Sequence, residues 1–139
     1  DLGIAMQLTN IARDVIEDNN RNRNYINPDY ESIKQTIKLA DIFYNSSFKS
    51  INEISLRNRF AIIVARRVYR QIGRKILTKK DMENYKNSGK IYVSKIEKLN
   101  QTCLSIIDYI ILIFLKSNDH MMKKEHDMIN EEINLNERI

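Results

Sequence analysis

The chain has 139 residues, of which 42% are hydrophobic and 29% are charged, so its composition excludes an intrinsically disordered protein. Three glycines and one proline are too few for the turns of an all-β fold and favour long helices. The formal net charge is +5, but basic and acidic residues are interleaved along the chain, which argues against a nucleic-acid-binding patch. An ordinary solvated surface explains this charge, and attraction for anionic lipid or a polyanionic substrate is the alternative.

Apolar residues at helical spacing predict four helices, and no segment alternates like a strand, so the predicted fold class is all-α. In chain order the helices are predicted over residues 2–20, 30–46, 56–77 and 92–115. The stretch 19–29 is rich in Asn and Arg and contains Pro28, which predicts a loop. The second helix is expected to end at the polar triplet 45–47, and residues 86–89 are expected to form a turn.

The chain is predicted to comprise one helical unit over residues 1–116 and a polar tail over 117–139. His120 and His126 of this tail are expected at the surface. The first residues show helical spacing of apolar side chains and do not begin with Met, so we expect the chain to begin inside a helix. The apolar run 104–115 is about half the length of a membrane span. It predicts a buried core helix, with a helix at a membrane interface as the alternative. Cys103 precedes this run and is predicted to be a buried, inert thiol, unable to form an internal disulfide.

Chemistry-bearing residues concentrate in the segment 7–18, which reads QLTNIARDVIED. Each helical residue turns by about 100°, so one narrow stripe holds four amide and carboxylate side chains. These are Gln7, Asn10, Asp14 and Asp18. The adjoining stripe is apolar and comprises Ile4, Leu8, Ile11 and Val15. An ordinary surface helix keeps acids away from its apolar seam, so this arrangement predicts the wall of a cavity.

Two carboxylates one turn apart repel each other unless a cation lies between them. Mg²⁺ is the natural cation, with Mn²⁺ as an alternative, because carboxylates bind it together with substrate phosphates and water. Arg13, Arg21 and Arg23 suit phosphate oxygens, and the apolar stripe suits a hydrocarbon tail. The pattern therefore predicts a prenyl diphosphate site, and the structural alternative is a solvated helix end with ion pairs one turn apart.

The segment 7–18, followed by Arg21, Arg23 and Tyr25, resembles the second aspartate-rich motif of the squalene/phytoene synthase family, and residues 2–6 match that family as well. Two weaker likenesses follow, and the resemblance covers roughly residues 1–115. The stretch 65–69 resembles a later helix that brings a tyrosine, here Tyr69, towards the diphosphate. The stretch 90–95 resembles a basic segment near the same site and begins with Lys90. A core aromatic and a surface lysine are the alternatives for these two residues. Asn27 stands where many members have proline, which concerns only the loop.

The resemblance implies the C-terminal portion of an isoprenoid-synthase-type helical bundle around a central cavity. It implies a Mg²⁺-dependent transferase that condenses two prenyl diphosphates head to head, with two geranylgeranyl diphosphates giving phytoene as the first choice. Squalene or dehydrosqualene synthesis from farnesyl diphosphate is the alternative. The implied catalytic residues are Arg13, Asp14, Asp18 and Arg23, the metal ligands are Asn10, Asp14 and Asp18, and the substrate-binding residues are Gln7, Asn10, Arg21, Tyr25, Tyr69 and Lys90.

The family also uses a first aspartate-rich motif, which these 139 residues do not contain, so the chain alone is expected to be inactive. Two other classes remain open, namely a non-catalytic homologue acting as an assembly factor and a plain helical interaction module. The intact set of motif residues argues against the first. A cytoplasmic location is expected, with peripheral contact to a membrane as an option and no nucleic-acid partner.

Overall fold

The computed structural model describes residues 1–115 together with His126, Asp127 and Ile129. These residues form helices without any strand, which confirms the all-α prediction. The helices are α1 (Leu2–Asn20), α2 (Tyr30–Ser50), α3 (Leu56–Leu77), α4 (Met82–Asn87) and α5 (Lys95–Phe114), with a 3₁₀ helix (Ile51–Glu53) after α2. The predicted bounds of α1 and α3 agree with the structure.

Side-chain caps fix the beginnings of α2 and α5. The Asp29 carboxylate accepts a hydrogen bond from the Ser32 amide at the start of α2. At the start of α5, the Ser94 hydroxyl accepts from the Glu97 amide while the Glu97 carboxylate accepts from the Ser94 amide. This reciprocal pair satisfies two backbone donors that the helix itself leaves free. The helix therefore begins at Lys95, whereas the sequence predicted a start at Tyr92.

Two other predicted boundaries are wrong. The polar triplet 45–47 does not end α2, because the Ser46 and Ser47 hydroxyls donate to carbonyls of their own helix and the turn continues to Ser50. The predicted turn at 86–89 overlaps α4, a six-residue helix whose start is capped by the Asp81 carboxylate. So short a helix leaves no periodic apolar pattern in the sequence.

Helix α1 packs along α2, and α3 lies against α1, α2 and α5. One apolar cluster joins α1 to α2 and includes Leu8, Phe43 and Tyr44. A second joins α1, α2 and α3 to the segment 82–93. Helices α2 and α3 approach closely at Gly73, where a Cβ atom would lie 3.1 Å from the Ile37 side chain. These contacts hold the polar stripe of α1 in a fixed orientation.

Helix α5 reverses the usual placement of polar and apolar residues. Its buried residues are Gln101, Ser105, Asp108 and Leu112. Its exposed large apolar residues are Ile96, Leu99, Ile106, Ile107, Ile110, Ile111, Ile113 and Phe114. The prediction that the run 104–115 forms a buried core helix is therefore wrong, and Cys103 is exposed instead of buried. The physical reason is that the Asp108 carboxylate accepts two hydrogen bonds from Arg67 of α3, at 2.7 and 2.9 Å, which turns the polar face inwards.

No helix among the described residues has the length and apolar character that crossing a membrane would require.

Two described residues of the tail pack against the helices. Ile129 is 5% exposed and belongs to the cluster between α1 and α2. The His126 ring meets the Phe43 ring edge to face at 5.0 Å, and its Nε2 atom lies 2.9 Å from Asp1 Oδ1. The expectation of a surface histidine is therefore wrong for His126. His120 lies outside the described residues.

Candidate functional site

The polar stripe predicted on α1 begins with a buried acceptor. The Asn10 side chain is half-buried, and its Oδ1 atom is buried without a hydrogen-bond partner among the described residues. A buried acceptor without a partner costs free energy unless a ligand completes it. Asp14 follows one turn later with 19% of its side chain exposed, and half-buried Asp18 lies one turn beyond. Each of these three residues presents oxygen atoms.

The adjoining apolar stripe lies in the core. Leu8, Ile11 and Val15 are 1%, 3% and 5% exposed because α2 and α3 cover this face. These three side chains are therefore not accessible to a hydrocarbon tail, and the sequence interpretation is wrong for them, whereas Ile4 of the same stripe is half-buried. Their burial fixes the rotation of α1, which sets the direction of the polar stripe.

Two cations hold Asp14. Arg13 Nε donates to Asp14 Oδ1 at 2.9 Å and Arg13 Nη2 donates to Oδ2 at 2.7 Å. Lys90 Nζ lies 3.2 Å from Asp14 Oδ1 and donates to Glu17 Oε2 at 2.8 Å. Arg21 pairs with the other Glu17 oxygen, also at 2.8 Å. The fold thus brings the basic segment that begins at Lys90 onto the acidic motif, 73 residues earlier in the chain.

The two motif aspartates differ in their ionisation. Burial opposes the ionisation of Asp14, but the hydrogen bonds and charges of Arg13 and Lys90 outweigh it and hold the pKa of Asp14 below its ordinary value. Burial, followed by repulsion from Asp14, raises the pKa of Asp18, and the Arg23 charge acts in the opposite direction. A cation beside Asp18 would favour its ionised form and so offset these two effects.

A cavity of about 260 Å³ opens beside this cluster. Its lining includes Arg13, Asp14, Glu17, Tyr85 and Lys90, whereas Gln7, Asn10 and Asp18 are not among the lining residues. The structure therefore brings part of the predicted set together at one cavity and leaves the rest along the same helix.

The remaining candidates lie around this cluster. Tyr69 is half-buried and packs against both core clusters, and its hydroxyl is near enough to contribute, after the larger effect of Asp14, to the raised pKa of Arg13. Arg23 is exposed, and its amide donates to the Asp18 carbonyl at 2.9 Å. Gln7 is half-buried on α1. Tyr25 is 8% exposed inside the α1–α2 cluster, so its side chain belongs to the core and not to the cavity surface.

Tyr85 of α4 is a positioning residue that sequence reasoning missed. Its hydroxyl lies 2.8 Å from the Ala12 carbonyl and 2.6 Å from the Arg13 carbonyl, and burial raises its pKa. The contact ties α4 to the backbone of the motif helix. In the sequence, only the spacing of Asp81 and Tyr85, an aspartate and an aromatic residue four positions later, points to this contact. That spacing is too common to identify such a role.

We expect Tyr85→Phe to lower the free energy of unfolding by about 1 kcal/mol, because the ring still packs while the hydroxyl hydrogen bond is lost. Urea denaturation followed by circular dichroism measures this change. Tyr92→Phe is the matched control, because Tyr92 is 64% exposed, and it is expected to be neutral. Equal effects of the two substitutions would contradict the positioning role.

The oxygen donors on α1 fit a hard divalent cation. Asn10, Asp14 and Asp18 offer one amide and two carboxylate groups, which are ligands that Mg²⁺ accepts. Among the described residues, no group of three or more His, Cys, Asp or Glu side chains is placed to hold a metal ion. Protein sites for Mg²⁺ commonly use one or two carboxylates, and substrate phosphates complete the coordination. The donor set therefore fits a metal that binds together with a phosphate substrate.

Comparisons with known proteins agree with the motif. The family model described as Squalene/phytoene synthase matches residues 1–30. The 15-cis-phytoene synthase of Enterobacter agglomerans is 32% identical over 55% of this chain and 33% of that protein. The chloroplastic phytoene synthase of an Oncidium hybrid cultivar is 34% identical over 70% of this chain and 28% of that protein. The chain thus spans about a third of the length of these relatives. No solved structure matches significantly.

The match to the family model covers the whole of α1 and the loop after it, which carry the stripe of oxygen donors and the arginines beside it. The matches to curated relatives extend well beyond that segment, to more than half of the chain. Together, the family-model match and these relatives support the squalene/phytoene synthase family for this chain.

Proposed function

We propose that the chain supplies the second acidic motif of a prenyltransferase that joins two prenyl diphosphates head to head. The observation that carries this proposal is the convergence of Arg13 and Lys90 on Asp14, next to the row of oxygen donors on α1. Cations beside metal-binding carboxylates are what a diphosphate leaving group requires, because negative charge accumulates on its oxygens as it departs.

Arg13 and Lys90 bind the substrate in this proposal. Both contact Asp14 and line the cavity beside it, and Lys90 is exposed. A diphosphate entering the cavity offers several anionic oxygens in place of one carboxylate, so Lys90 can turn towards it while Arg13 keeps one hydrogen bond to Asp14. Arg21 and Arg23 follow the end of α1, are exposed, and would add positive charge for the diphosphate.

Asn10, Asp14 and Asp18 are the residues that would hold Mg²⁺, or Mn²⁺, in this proposal. When bound, the metal would neutralise charge on the diphosphate oxygens. Asn10 Oδ1, the buried acceptor without a partner, and Asp18, whose pKa is raised, are the two groups that gain most from a cation. Tyr69, half-buried on α3, would donate its hydroxyl to a substrate oxygen in this proposal.

Phytoene formation from two geranylgeranyl diphosphates is the activity we favour, because the curated relatives described above are named phytoene synthases. Squalene or dehydrosqualene formation from farnesyl diphosphate is the alternative, and product analysis with each substrate distinguishes them. We place this activity in the cytoplasm, with peripheral membrane contact as an option.

The test uses the 139-residue chain, Mn²⁺ and geranylgeranyl diphosphate. We expect paramagnetic broadening of the NMR signals of Asn10, Asp14 and Asp18 only when both additives are present, because substrate oxygens complete the site. We expect no condensation product, because the chain lacks a first acidic motif. The matched control is Asp127→Asn, an exposed aspartate outside the cluster, which should leave the broadening unchanged. Two results would contradict the proposal. One is formation of product by the 139-residue chain, and the other is broadening of the α1 signals in Asp14→Asn that equals the broadening in the unsubstituted chain.

A further inference from the structure

A second cavity, of about 170 Å³, lies between α3 and α5 and shares no lining residue with the cavity at the acidic motif. Four arginines of α3 line it, together with two polar residues of α5. They are Arg66, Arg67, Arg70, Arg74, Gln101 and Asp108. On α3, Arg66, Arg70 and Arg74 follow one another at one-turn spacing and Arg67 lies next to Arg66, so the four form a basic stripe along the cavity.

The acids around this cavity do not balance the arginines. Arg67 donates twice to Asp108, at 2.7 and 2.9 Å, and Arg70 donates twice to Asp41, at 2.6 and 2.7 Å. Arg74 has no hydrogen-bond or ion-pair partner among the described residues. The carboxylates of Asp41 and Asp108 therefore face the guanidinium groups of four arginines, one of which, Arg66, is buried. The cavity carries surplus positive charge.

The buried guanidinium of Arg66 shows how incompletely the protein neutralises the charge of this cavity. Its Nε and Nη2 atoms donate to the Tyr44 carbonyl, a neutral acceptor, at 3.0 and 2.8 Å, while its Nη1 atom lies 3.9 Å from Asp108. Its guanidinium also lies 4.7 Å from the centre of the Phe48 ring. Burial, followed by repulsion from Arg70, lowers the pKa of Arg66 to about 10. An anion in the cavity would offset both effects.

Size and donor geometry select the class of anion. A cavity of about 150 Å³ holds benzene, which has six non-hydrogen atoms. The cavity between α3 and α5 therefore suits a tetrahedral oxyanion with five non-hydrogen atoms and is too small for a prenyl chain or a nucleotide. Each guanidinium has five N–H donors, and the contacts described above use only part of them. Planar guanidinium groups match phosphate oxygens in pairs.

We propose that the arginine cavity between α3 and α5 binds a single phosphate-type oxyanion, either free phosphate or the phosphate of an anionic lipid headgroup. The site is separate from the acidic motif and does not depend on the metal. The anion bridges the stripe of α3 to α5 and completes a charge network that the protein alone leaves unbalanced.

The experiment is a titration of the ¹⁵N-labelled chain with inorganic phosphate at low ionic strength, with the arginine Nε–H signals as the readout. We expect saturable shifts at Arg66 and Arg70. Arg74→Gln should raise the dissociation constant at least about tenfold, the value of one charged hydrogen bond. Arg57→Gln is the matched control, because Arg57 is an exposed arginine of the same helix that does not line the cavity, and it should leave the constant unchanged.

A parallel arm distinguishes the two sources of phosphate. Vesicles of phosphatidic acid in phosphatidylcholine replace free phosphate, and pure phosphatidylcholine vesicles serve as the blank. A response that depends on Arg74 supports the proposal in either arm and assigns the source.

Three results would overturn the proposal: no saturable shift with phosphate or phosphatidic acid, equal weakening by Arg57→Gln and Arg74→Gln, or loss of the Arg66 response in Lys90→Gln. The last result would mean that the anion acts at the acidic motif. The outcome does not bear on metal and diphosphate binding by α1, which the broadening of the α1 signals measures independently.

Discussion

Asp14→Asn is expected to lower turnover about a hundred- to thousand-fold in an active enzyme that combines this segment with a first acidic motif. The substitution keeps size and helix but removes the charge that Arg13 and Lys90 contact and that we propose as a metal ligand. A preorganised electrostatic contact of this kind contributes about 3–4 kcal/mol to the transition state. The loss should appear mainly in kcat, because the charge on the diphosphate oxygens grows as the bond breaks.

The matched control for this prediction is Glu17→Gln. Glu17 is more exposed than Asp14 and is already paired with Lys90 and Arg21, so removing its charge should cost much less. Asp18→Asn should behave like Asp14→Asn. The measurement is steady-state turnover of each variant at saturating Mg²⁺, with the fold checked by circular dichroism. Near wild-type turnover for Asp14→Asn, combined with loss of activity in Glu17→Gln, would show that the assigned metal face is wrong.

Asp108→Asn is expected to have the largest effect on stability, lowering the free energy of unfolding by about 3 kcal/mol. Asp108 is buried and receives both hydrogen bonds from Arg67, with Arg66 close by. Removing its charge leaves the Arg67 guanidinium without its charged partner and takes a negative charge away from the nearby Arg66, in a partly desolvated site. Urea denaturation of the 139-residue chain at neutral pH measures the loss.

The control for Asp108→Asn lies on the opposite face of α5. Ile110 is 50% exposed, so Ile110→Ser is expected to change stability by no more than about 0.5 kcal/mol. A compensated pair, Arg67→Met with Asp108→Leu, should recover most of the lost stability, because well-packed apolar residues often replace a buried ion pair without cost. A larger loss for Ile110→Ser than for Asp108→Asn would contradict the reversed orientation of α5.

The sequence by itself determined the helices and the polar stripe. Local periodicity defines α1 and α3 and places Asn10, Asp14 and Asp18 on one face, because a residue's angular position on a helix depends only on its number. The motif 7–18 also indicated the family through its resemblance to the second aspartate-rich motif, and the family model matches residues 1–30, which contain it.

Only the tertiary structure decided which face of each helix is buried and which distant residues meet. The sequence predicted that Leu8 and Val15 would contact a hydrocarbon tail, but α2 and α3 cover them. The sequence also predicted that the apolar run of α5 would be buried, but the ion pair between Arg67 and Asp108 turns this run towards the surface. Periodicity identifies a face and not the neighbour that packs on it. The resemblance placed Lys90 near the same site as the motif, but its contact with Glu17, 73 positions earlier, depends on how the whole chain packs and is not visible in any local pattern.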